Sequence, residues 1–515
     1  MKKTLLFCSC LLVLAANAQS ISKPAEKYAG LITEKALKEK LTIIASADME
    51  GRETASPGQK KAAAYIEAQF KKMGLKPGNG DSYQMYFPVY QDQLNSTLLQ
   101  VNGKTFVWDK DYSFSLNAAT NGSGTYENIV FAGYGIVDPA NKINDYADLD
   151  VTGKVVVVLE GSADAKAAPP TGRNAFTMPS SSYSKINTAR TKGAVALLIV
   201  SKDLPKKVPT VLKGNMYLKR NTGNALTAGT ISEEVASALL GSSTVVPISK
   251  LAESNKGSYT TSLKWNIDKT STELQSSNVL AILPGTDKAD EYLFLTGHYD
   301  HLGKRDSVIY YGADDDGSGT TAVLQMAEAF SAAARKGYKP RRNIVFMTVS
   351  GEEKGLWGSE YYSEHPIYPL DKTSADLNTD MIGRTDTERE TADSLNYLYV
   401  IGHDKLSSEL APINEAANNS FTHLTLDYKF DDPKDVNRIY YRSDHFNFAK
   451  KGIPILFFYD GMLKADYHRP TDTVDKINFD LMAKRAQLIF LTAWQIADKD
   501  DLLKRDIPLN MPAGR

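Results

Sequence analysis

Residues 344–349 read IVFMTV, an unbroken apolar run that is followed at once by the polar stretch SGEEKG at 350–355. A continuous run of branched and aromatic side chains is typical of a strand buried on both faces, in the middle of a parallel sheet. The segment 453–458, IPILFF, has the same character. Helical patterns at 320–335 and 481–497 alternate with these strands. The alternation predicts an α/β fold with a mixed, mostly parallel sheet and helices on both faces.

The length and composition limit the class of protein. The chain has 515 residues, and single hydrophobic cores stop growing at roughly 250–300 residues, so we expect more than one domain. A hydrophobic content of 42% and a charged content of 23% are ordinary for a globular protein and argue against a disordered or collagen-like chain. Because 60 basic residues face 61 acidic ones, the whole chain has no basic field that would hold nucleic acid.

The N-terminal segment has the pattern of a secretory signal peptide. Two lysines precede an apolar run at 5–16, and residues 16–18, ANA, match a small-x-small cleavage site. We therefore predict a cleaved signal peptide at 1–18 and a periplasmic or secreted protein. Both cysteines lie in this segment, so the mature chain would have no disulfide and no thiol nucleophile. No later stretch is apolar enough over about 18 residues to predict a membrane span.

The middle third of the chain differs from its flanks. Strand-like runs at 154–159 and 194–200 are separated by loops rich in Pro, Ser and Lys, and few ionisable clusters occur. We predict a β-rich module inserted at 125–270. The main domain would then consist of 19–124 and 271–515.

Polar residues directly follow the strand-like runs of the main domain. In open α/β sheets, functional groups gather beyond the carboxyl ends of the strands. The stretches concerned are TGHYDH at 296–301, GADDDGSG at 312–319, SGEEKG at 350–355, LNTDM at 377–381 and YHRPTDT at 467–473. Adjacent carboxylates repel one another unless a counter-charge is present. Divalent cations supply one, and carboxylates together with histidine are ligands that suit zinc.

A site for two metal ions needs one carboxylate between the ions and two further ligands for each. Five residues give that count: His298, Asp315, Glu353, Asp380 and His468. Asp300 lies two positions after His298, on the same side of an extended chain, and is predicted to orient the imidazole. Glu352 and Glu353 are adjacent and point differently, so one can bind metal while its neighbour acts as a general base. His301 and His445 are interpreted as structural residues.

These stretches resemble the secreted co-catalytic dizinc aminopeptidase family, which is related to glutamate carboxypeptidase and the transferrin receptor. The matching pieces follow the family's order: GHYDHLG (297–303), GADDDGSG (312–319), SGEEKGLWGSEYY (350–362), NTDMIGR (378–384), SDHFNFAKKGIPI (443–455) and YHRPTDT (467–473). MEGRETASPGQKKAAAYI (49–66) is similar too. In the inserted module, NIVFAGYGI (128–136) and KGAVALLIV (192–200) resemble a protease-associated domain. The resemblance implies a zinc exopeptidase-like sheet carrying that inserted domain.

The resemblance also implies a role for each metal ligand. His298 and Asp380 would hold one zinc ion. Glu353 and His468 would hold the second, and Asp315 would bridge the two. The peptide bond that follows Asp315 is often cis in such proteins.

For catalysis, the resemblance places Glu352 as the general acid and base. Tyr440 is the candidate for stabilising the tetrahedral intermediate, and Tyr467 is the alternative. The implied enzyme is a zinc metallopeptidase with two zinc ions per chain. It would be an aminopeptidase that releases N-terminal residues from peptide substrates through a dizinc-activated water.

Other functions stay open at this point. A carboxypeptidase of the glutamate carboxypeptidase type would add a cationic pocket, to which Arg384 and Arg442 could contribute. A glutaminyl-cyclase-like enzyme would bind a single zinc ion. A non-catalytic binding protein would be expected to have lost ligands, whereas all five ligand types and the base are present here. A two-metal phosphoesterase fits the ligand chemistry but not the order of the motifs.

Overall fold

The chain divides into two compact units. The computed structural model describes residues 21–116, 119–163, 178–219 and 226–511, so the predicted signal peptide lies outside the described residues. The larger unit comprises Met1–Phe87 and Gln275–Arg515, and the smaller unit comprises Pro88–Leu274. Each is described separately below.

The larger unit is built on one sheet, whose strands we number along the chain. They are β1 (Gly257–Leu283, of which only the last part belongs to this unit), β2 (Lys288–His298), β3 (Arg342–Val349), β4 (Thr373–Thr379), β5 (Tyr397–Ile401), β6 (Thr425–Asp427) and β7 (Ile455–Tyr459). Their order across the sheet is β6-β5-β7-β4-β2-β3-β1. The pairs β6–β5, β7–β4, β4–β2 and β2–β3 are parallel, whereas β5–β7 and β3–β1 are antiparallel. The predicted mixed, mostly parallel sheet is confirmed.

Eight helices of the larger unit accompany this sheet among the described residues. They are α1 (Lys23–Ala29), α2 (Glu34–Ile44), α3 (Pro57–Met73), α4 (Gly317–Arg335), α5 (Trp357–Glu364), α6 (Leu410–Ala417), α7 (His445–Ala449) and α8 (Phe479–Asp498). The predicted helices at 320–335 and 481–497 correspond to α4 and α8. No helix in the described ranges has both the length and the apolar character that a bilayer span requires.

Two hydrophobic clusters cover the two faces of the sheet. Leu293 and Leu295 of β2 pack in a cluster with α2, α3, α4 and α8, whereas Phe294 packs in a second cluster with α5 and α7. Successive residues of a strand point to opposite faces, so this alternation shows that helices cover both sides. Every residue of β3 is buried, as its continuous apolar run predicts.

The smaller unit contains a further set of paired strands. Gly122–Phe131 pairs with the first part of β1 and with Val155–Leu159, followed in parallel by Ala196–Val200 and Thr227–Ile231. Tyr112–Phe114 is added antiparallel to Thr227–Ile231. The unit also contains the helices Ser182–Thr191, Glu233–Leu239 and Ile248–Leu251. Its further strands among the described residues are most of Gln84–Val101, Lys104–Phe106, Val137–Asp138, Ile143–Asn144 and Lys213–Tyr217.

The smaller unit begins earlier than the predicted module. It starts at Pro88, whereas the sequence analysis placed the boundary at 125. Residues 88–124 join this unit because Tyr112–Phe114 and most of Gln84–Val101 pair with its strands. An alternating strand pattern does not say which sheet the strand enters. The resemblance of this unit to a protease-associated domain stays a prediction.

Candidate metal centre

The five predicted ligands meet at one edge of the larger unit's sheet. His298 is the last residue of β2, and Asp380 directly follows β4. Glu353 lies in the turn after β3, and His468 lies beyond β7. Asp315 immediately precedes the N-cap of α4. Because β2, β3, β4 and β7 run parallel, their carboxyl ends meet at the same edge.

Asp315 lies between two separate imidazoles. Its Oδ1 atom is 3.3 Å from Nε2 of His298, and its Oδ2 atom is 3.1 Å from Nε2 of His468. On the first side, Oδ1 of Asp380 lies 3.6 Å from the same His298 nitrogen. On the second side, Oε2 of Glu353 lies 3.0 Å from the same His468 nitrogen. The carboxylate of Asp315 therefore has one oxygen for each of two histidine–carboxylate pairs.

These atoms have the character of metal ligands. Among the described residues, Nε2 of His298, Oδ2 of Asp315 and Oε1 of Glu353 are buried and make no hydrogen bond. Buried polar atoms are nearly always hydrogen-bonded or bound to a cation, because leaving them unpaired is costly. Two imidazoles and three carboxylates form a donor set that zinc accepts. The residues present thus fit divalent cations.

His301 also belongs to this cluster, although the sequence analysis interpreted it as structural. The residue is fully buried, and its Nδ1 atom lies 2.7 Å from Oε1 of Glu353 and 3.9 Å from Oδ2 of Asp315. The signal available in the sequence was its place three residues after His298, within the same stretch. His445, by contrast, is buried among rings and its Nε2 atom lies 2.8 Å from the carbonyl oxygen of Tyr440.

Asp300 contacts His298 differently from the prediction. The atom nearest to Nδ1 of His298 is the backbone carbonyl oxygen of Asp300, at 3.1 Å, whereas the carboxylate is 3.7 Å away. The carboxylate instead accepts the hydroxyl of Thr54 at 2.6 Å and the backbone N–H of Glu352 at 3.2 Å. Asp300 therefore orients the imidazole of His298 through its main chain. Its side chain holds the turn after β3 that contains Glu352.

Side-chain and backbone contacts fix the loop that contains the three consecutive aspartates. The carboxylate of Asp316 accepts the backbone N–H of His298 at 3.1 Å and that of Gly319 at 2.8 Å, which caps α4. Asp472 accepts the backbone N–H groups of Asp314 and Asp315 at 3.0 and 3.1 Å. The peptide bond between Asp315 and Asp316 is cis. These contacts hold the loop so that the side chain of Asp315 faces the two histidines.

Glu352 lies beside the ligands. Its Oε2 atom is 3.9 Å from Nε2 of His298. Burial raises the pKa of Glu352 well above its usual range, against the opposing effect of the His298 charge. A carboxyl group that lies beside the ligands in this way can accept and return a proton.

A cavity lies next to these groups. Asp315, Glu352 and Asp380 form part of its wall, and apolar side chains such as Met381 and Phe457 form another part. A concave site that combines apolar walls with a few polar groups is the usual form of a small-molecule site.

Comparisons with known proteins agree with this geometry. Residues 278–493 match the model of peptidase family M28. This segment belongs to peptidase family M28. The resemblance drawn from the motifs is thereby confirmed, and the M28 segment contains all five candidate ligands and Glu352.

Relatives of the M28 segment include fungal proteins. The chain is 28% identical over 226 residues to a probable leucine aminopeptidase of Arthroderma otae. The aligned residues make up 43% of this chain and 57% of the relative. It is 30% identical over 171 residues to a probable zinc metalloprotease of Pyrenophora teres f. teres, covering 32% and 34%. The chain thus spans between about a third and just over half of the length of these curated relatives.

Solved structures share the fold of most of the chain. An aminopeptidase from Aneurinibacillus sp. strain AM-1 has a TM-score of 0.55 and 20% identity, and the match covers 95% of this chain and all of that one. A zinc aminopeptidase from Bacillus subtilis has a TM-score of 0.50 and 20% identity, covering 92% and 99%. At this identity, the likeness shows the fold alone.

Tyr467, and not Tyr440, reaches the cavity of the M28 segment. Tyr467 lines the cavity, its ring stacks on His468 at 3.8 Å, and its hydroxyl accepts a hydrogen bond from Nη2 of Arg442 at 2.9 Å. Tyr440 is buried elsewhere, with its ring 5.4 Å from Nζ of Lys405. The assignment to Tyr440 is therefore corrected to the alternative, Tyr467.

Proposed function

We propose that the protein is a zinc metallopeptidase that binds two zinc ions and releases N-terminal residues from peptides. The arrangement of Asp315 is the observation that carries the proposal, because its two oxygens face two different histidine–carboxylate pairs. A shared carboxylate of this kind suits two cations held close together. Membership of peptidase family M28 supports peptide bonds as the substrate.

The residues of the chain have distinct tasks in this reaction. Zinc ions held by the five ligands would supply Lewis acidity toward the scissile carbonyl and lower the pKa of the attacking water. Glu352, whose carboxylate lies 3.9 Å from the His298 imidazole, takes the proton from that water and returns it to the leaving amine. The hydrogen bond from the Glu352 main chain to Asp300 holds the turn during the transfer.

Tyr467 is the group that donates to the developing oxyanion. Burial raises the pKa of Tyr467 well above its usual range, so its hydroxyl stays protonated. Arg442 donates to the oxygen of that hydroxyl, which orients the phenol proton away from the guanidinium. A donor fixed before the reaction stabilises the tetrahedral oxyanion more than the planar carbonyl.

The two arginines that could have formed the cationic pocket of a carboxypeptidase contact other side chains, which favours an aminopeptidase. Arg384, which could have bound a C-terminal carboxylate, is paired with Asp466 at 2.9 Å. Arg442 lines the cavity but donates to Tyr467.

A screen of chromogenic peptides and aminoacyl amides tests this proposal. We expect hydrolysis of substrates with a free N-terminal amine, no hydrolysis of their N-acetylated counterparts, loss of activity with chelator and recovery with zinc. Metal analysis of the active protein should give two zinc ions per chain. Cleavage of N-blocked substrates from the C-terminus would overturn the direction, and one zinc ion in a fully active protein would overturn the dinuclear site.

We also propose that the protein is exported to the periplasm or the medium. The proposal rests on the signal-peptide pattern at 1–18. N-terminal sequencing of the native protein should begin at Gln19. Recovery of an uncleaved chain from the cytosolic fraction would contradict it.

A further inference from the structure

A buried hydroxyl in the cavity next to the metal ligands has no partner. Tyr459, the last residue of β7, lines this cavity and is only 3% exposed. In the part of the chain that the structure describes, its hydroxyl makes no hydrogen bond. Buried tyrosine hydroxyls usually find a partner, because leaving one unpaired is unfavourable. The hydroxyl is therefore available to a ligand group that enters the cavity.

The surroundings of Tyr459 define what such a ligand can be. Phe457 lies two residues earlier on the same strand face, and the two rings stack with centroids 5.5 Å apart. Met381, Ile439 and Leu463 add further apolar wall. This apolar wall can pack against the aliphatic part of a ligand side chain.

Two donors are also present in this wall. Burial raises the pKa of Tyr459 well above its usual range, so its hydroxyl stays protonated, although the nearby Arg442 acts in the opposite direction. Arg442 itself has no acceptor atom and lines the same cavity. An apolar wall with hydrogen-bond donors beside it suits a ligand side chain whose methylene groups end in an acceptor oxygen.

We propose that this cavity receives the side chain of the substrate's N-terminal residue, and that the hydroxyl of Tyr459 selects a side chain ending in a carboxamide, as in glutamine, over an apolar side chain of the same shape. The inference rests on the proposed aminopeptidase function. An apolar side chain displaces water from the hydroxyl and leaves it unpaired, and a site built for a hydrogen bond rejects ligands that lack the partner.

The test compares three coumarin amides, those of glutamine, homoleucine and alanine. Homoleucine has the shape of glutamine without its polar atoms, and alanine does not reach the hydroxyl. We expect kcat/KM of the wild-type enzyme to favour the glutaminyl over the homoleucyl amide by about tenfold or more. In Tyr459→Phe, which removes only the hydroxyl, this ratio should fall by about tenfold, while alanyl amide hydrolysis stays within about twofold.

Tyr28→Phe is the matched control. Tyr28 is also buried with a hydroxyl that lacks a hydrogen bond among the described residues, but it packs against Trp494 and does not line this cavity. Its variant should keep the wild-type ratio. An equal ratio in Tyr459→Phe and the wild type would overturn the inference while leaving the aminopeptidase intact. If the wild type hydrolyses none of the three amides in the presence of zinc, the proposed function itself fails.

Discussion

The Oδ2 atom of Asp315 lies 3.1 Å from Nε2 of His468, while the other oxygen of the same carboxylate faces His298. In the proposed dinuclear site, this side chain lies between the two metal positions. Asp315→Asn keeps one oxygen but replaces the other with an amide group, which cannot ligate a cation. The variant therefore leaves at most one complete ligand set.

For Asp315→Asn we expect bound zinc to fall from two ions to at most one per chain, and activity to fall by at least about 100-fold. Metal analysis after gel filtration measures the first quantity. Asp290→Asn is the control, because Asp290 is exposed and pairs with Lys372 away from the site. Two zinc ions retained in Asp315→Asn would contradict the bridging role.

Glu352 is expected to carry a proton and not a metal. Glu352→Gln keeps the shape of the side chain but removes the base, so kcat should fall by about 10²–10⁴-fold. Bound zinc should stay at the wild-type level, because Glu353 supplies the ligand from this turn. A variant with kcat within a few-fold of the wild type would refute the role of Glu352.

Thr54 links the N-terminal part of the chain to the site. Its hydroxyl donates to Oδ2 of Asp300 at 2.6 Å. Asp300 also accepts the backbone N–H of Glu352 and contacts His298. Thr54→Val is nearly isosteric and leaves this carboxylate short of a donor. Loss of such a supporting contact typically costs about 10–100-fold in metal affinity or activity. Zinc competition with a chromophoric chelator measures the affinity, and an unchanged affinity and kcat would show that the contact is dispensable.

The strands and most ligands were predictable from the sequence. Apolar runs such as that of β3 predicted buried strands, and parallel strands place their carboxyl ends at one edge, so polar residues after each run converge. His301 was missed because its side chain reaches Glu353 only through the bend of the chain after β2, which residue spacing alone does not describe.

The tyrosine assignment shows what residue spacing cannot supply. Tyr440 lies in the short 3₁₀ turn Ile439–Tyr441, where successive residues point about 120° apart. Ile439 lines the cavity, so the next residue, Tyr440, points away from it toward Lys405. The direction of a side chain in such a turn depends on the packing around it and not on its distance from a motif.

Two phenylalanine variants test this correction. Tyr467→Phe removes the hydroxyl next to Arg442, and we expect kcat to fall by about 10–100-fold with little change in KM, because the donor acts on the transition state. Tyr440→Phe should leave both constants within about twofold. The opposite pattern, with a loss of kcat in Tyr440→Phe alone, would restore the original assignment.

His445 should make the fold sensitive to acid. Burial lowers the pKa of His445 to about 3, so the imidazole stays neutral in the folded chain, whereas in the unfolded chain it binds a proton below pH 6.5. Because the unfolded state then binds more protons, stability is lost as the pH falls from 6.5 toward 3. At pH 5 the loss from this residue is about 2 kcal/mol relative to pH 7.5.

His445→Gln keeps a donor for the carbonyl oxygen of Tyr440 but does not titrate. Urea unfolding at pH 7.5 and pH 5, with chelator present throughout so that metal loss does not contribute, gives the change in the free energy of unfolding for each protein. Groups common to both proteins cancel in the difference. We expect the wild type to lose about 2 kcal/mol more than the variant on acidification. An equal loss in the two proteins would show that His445 is protonated in the folded state as readily as in the unfolded one.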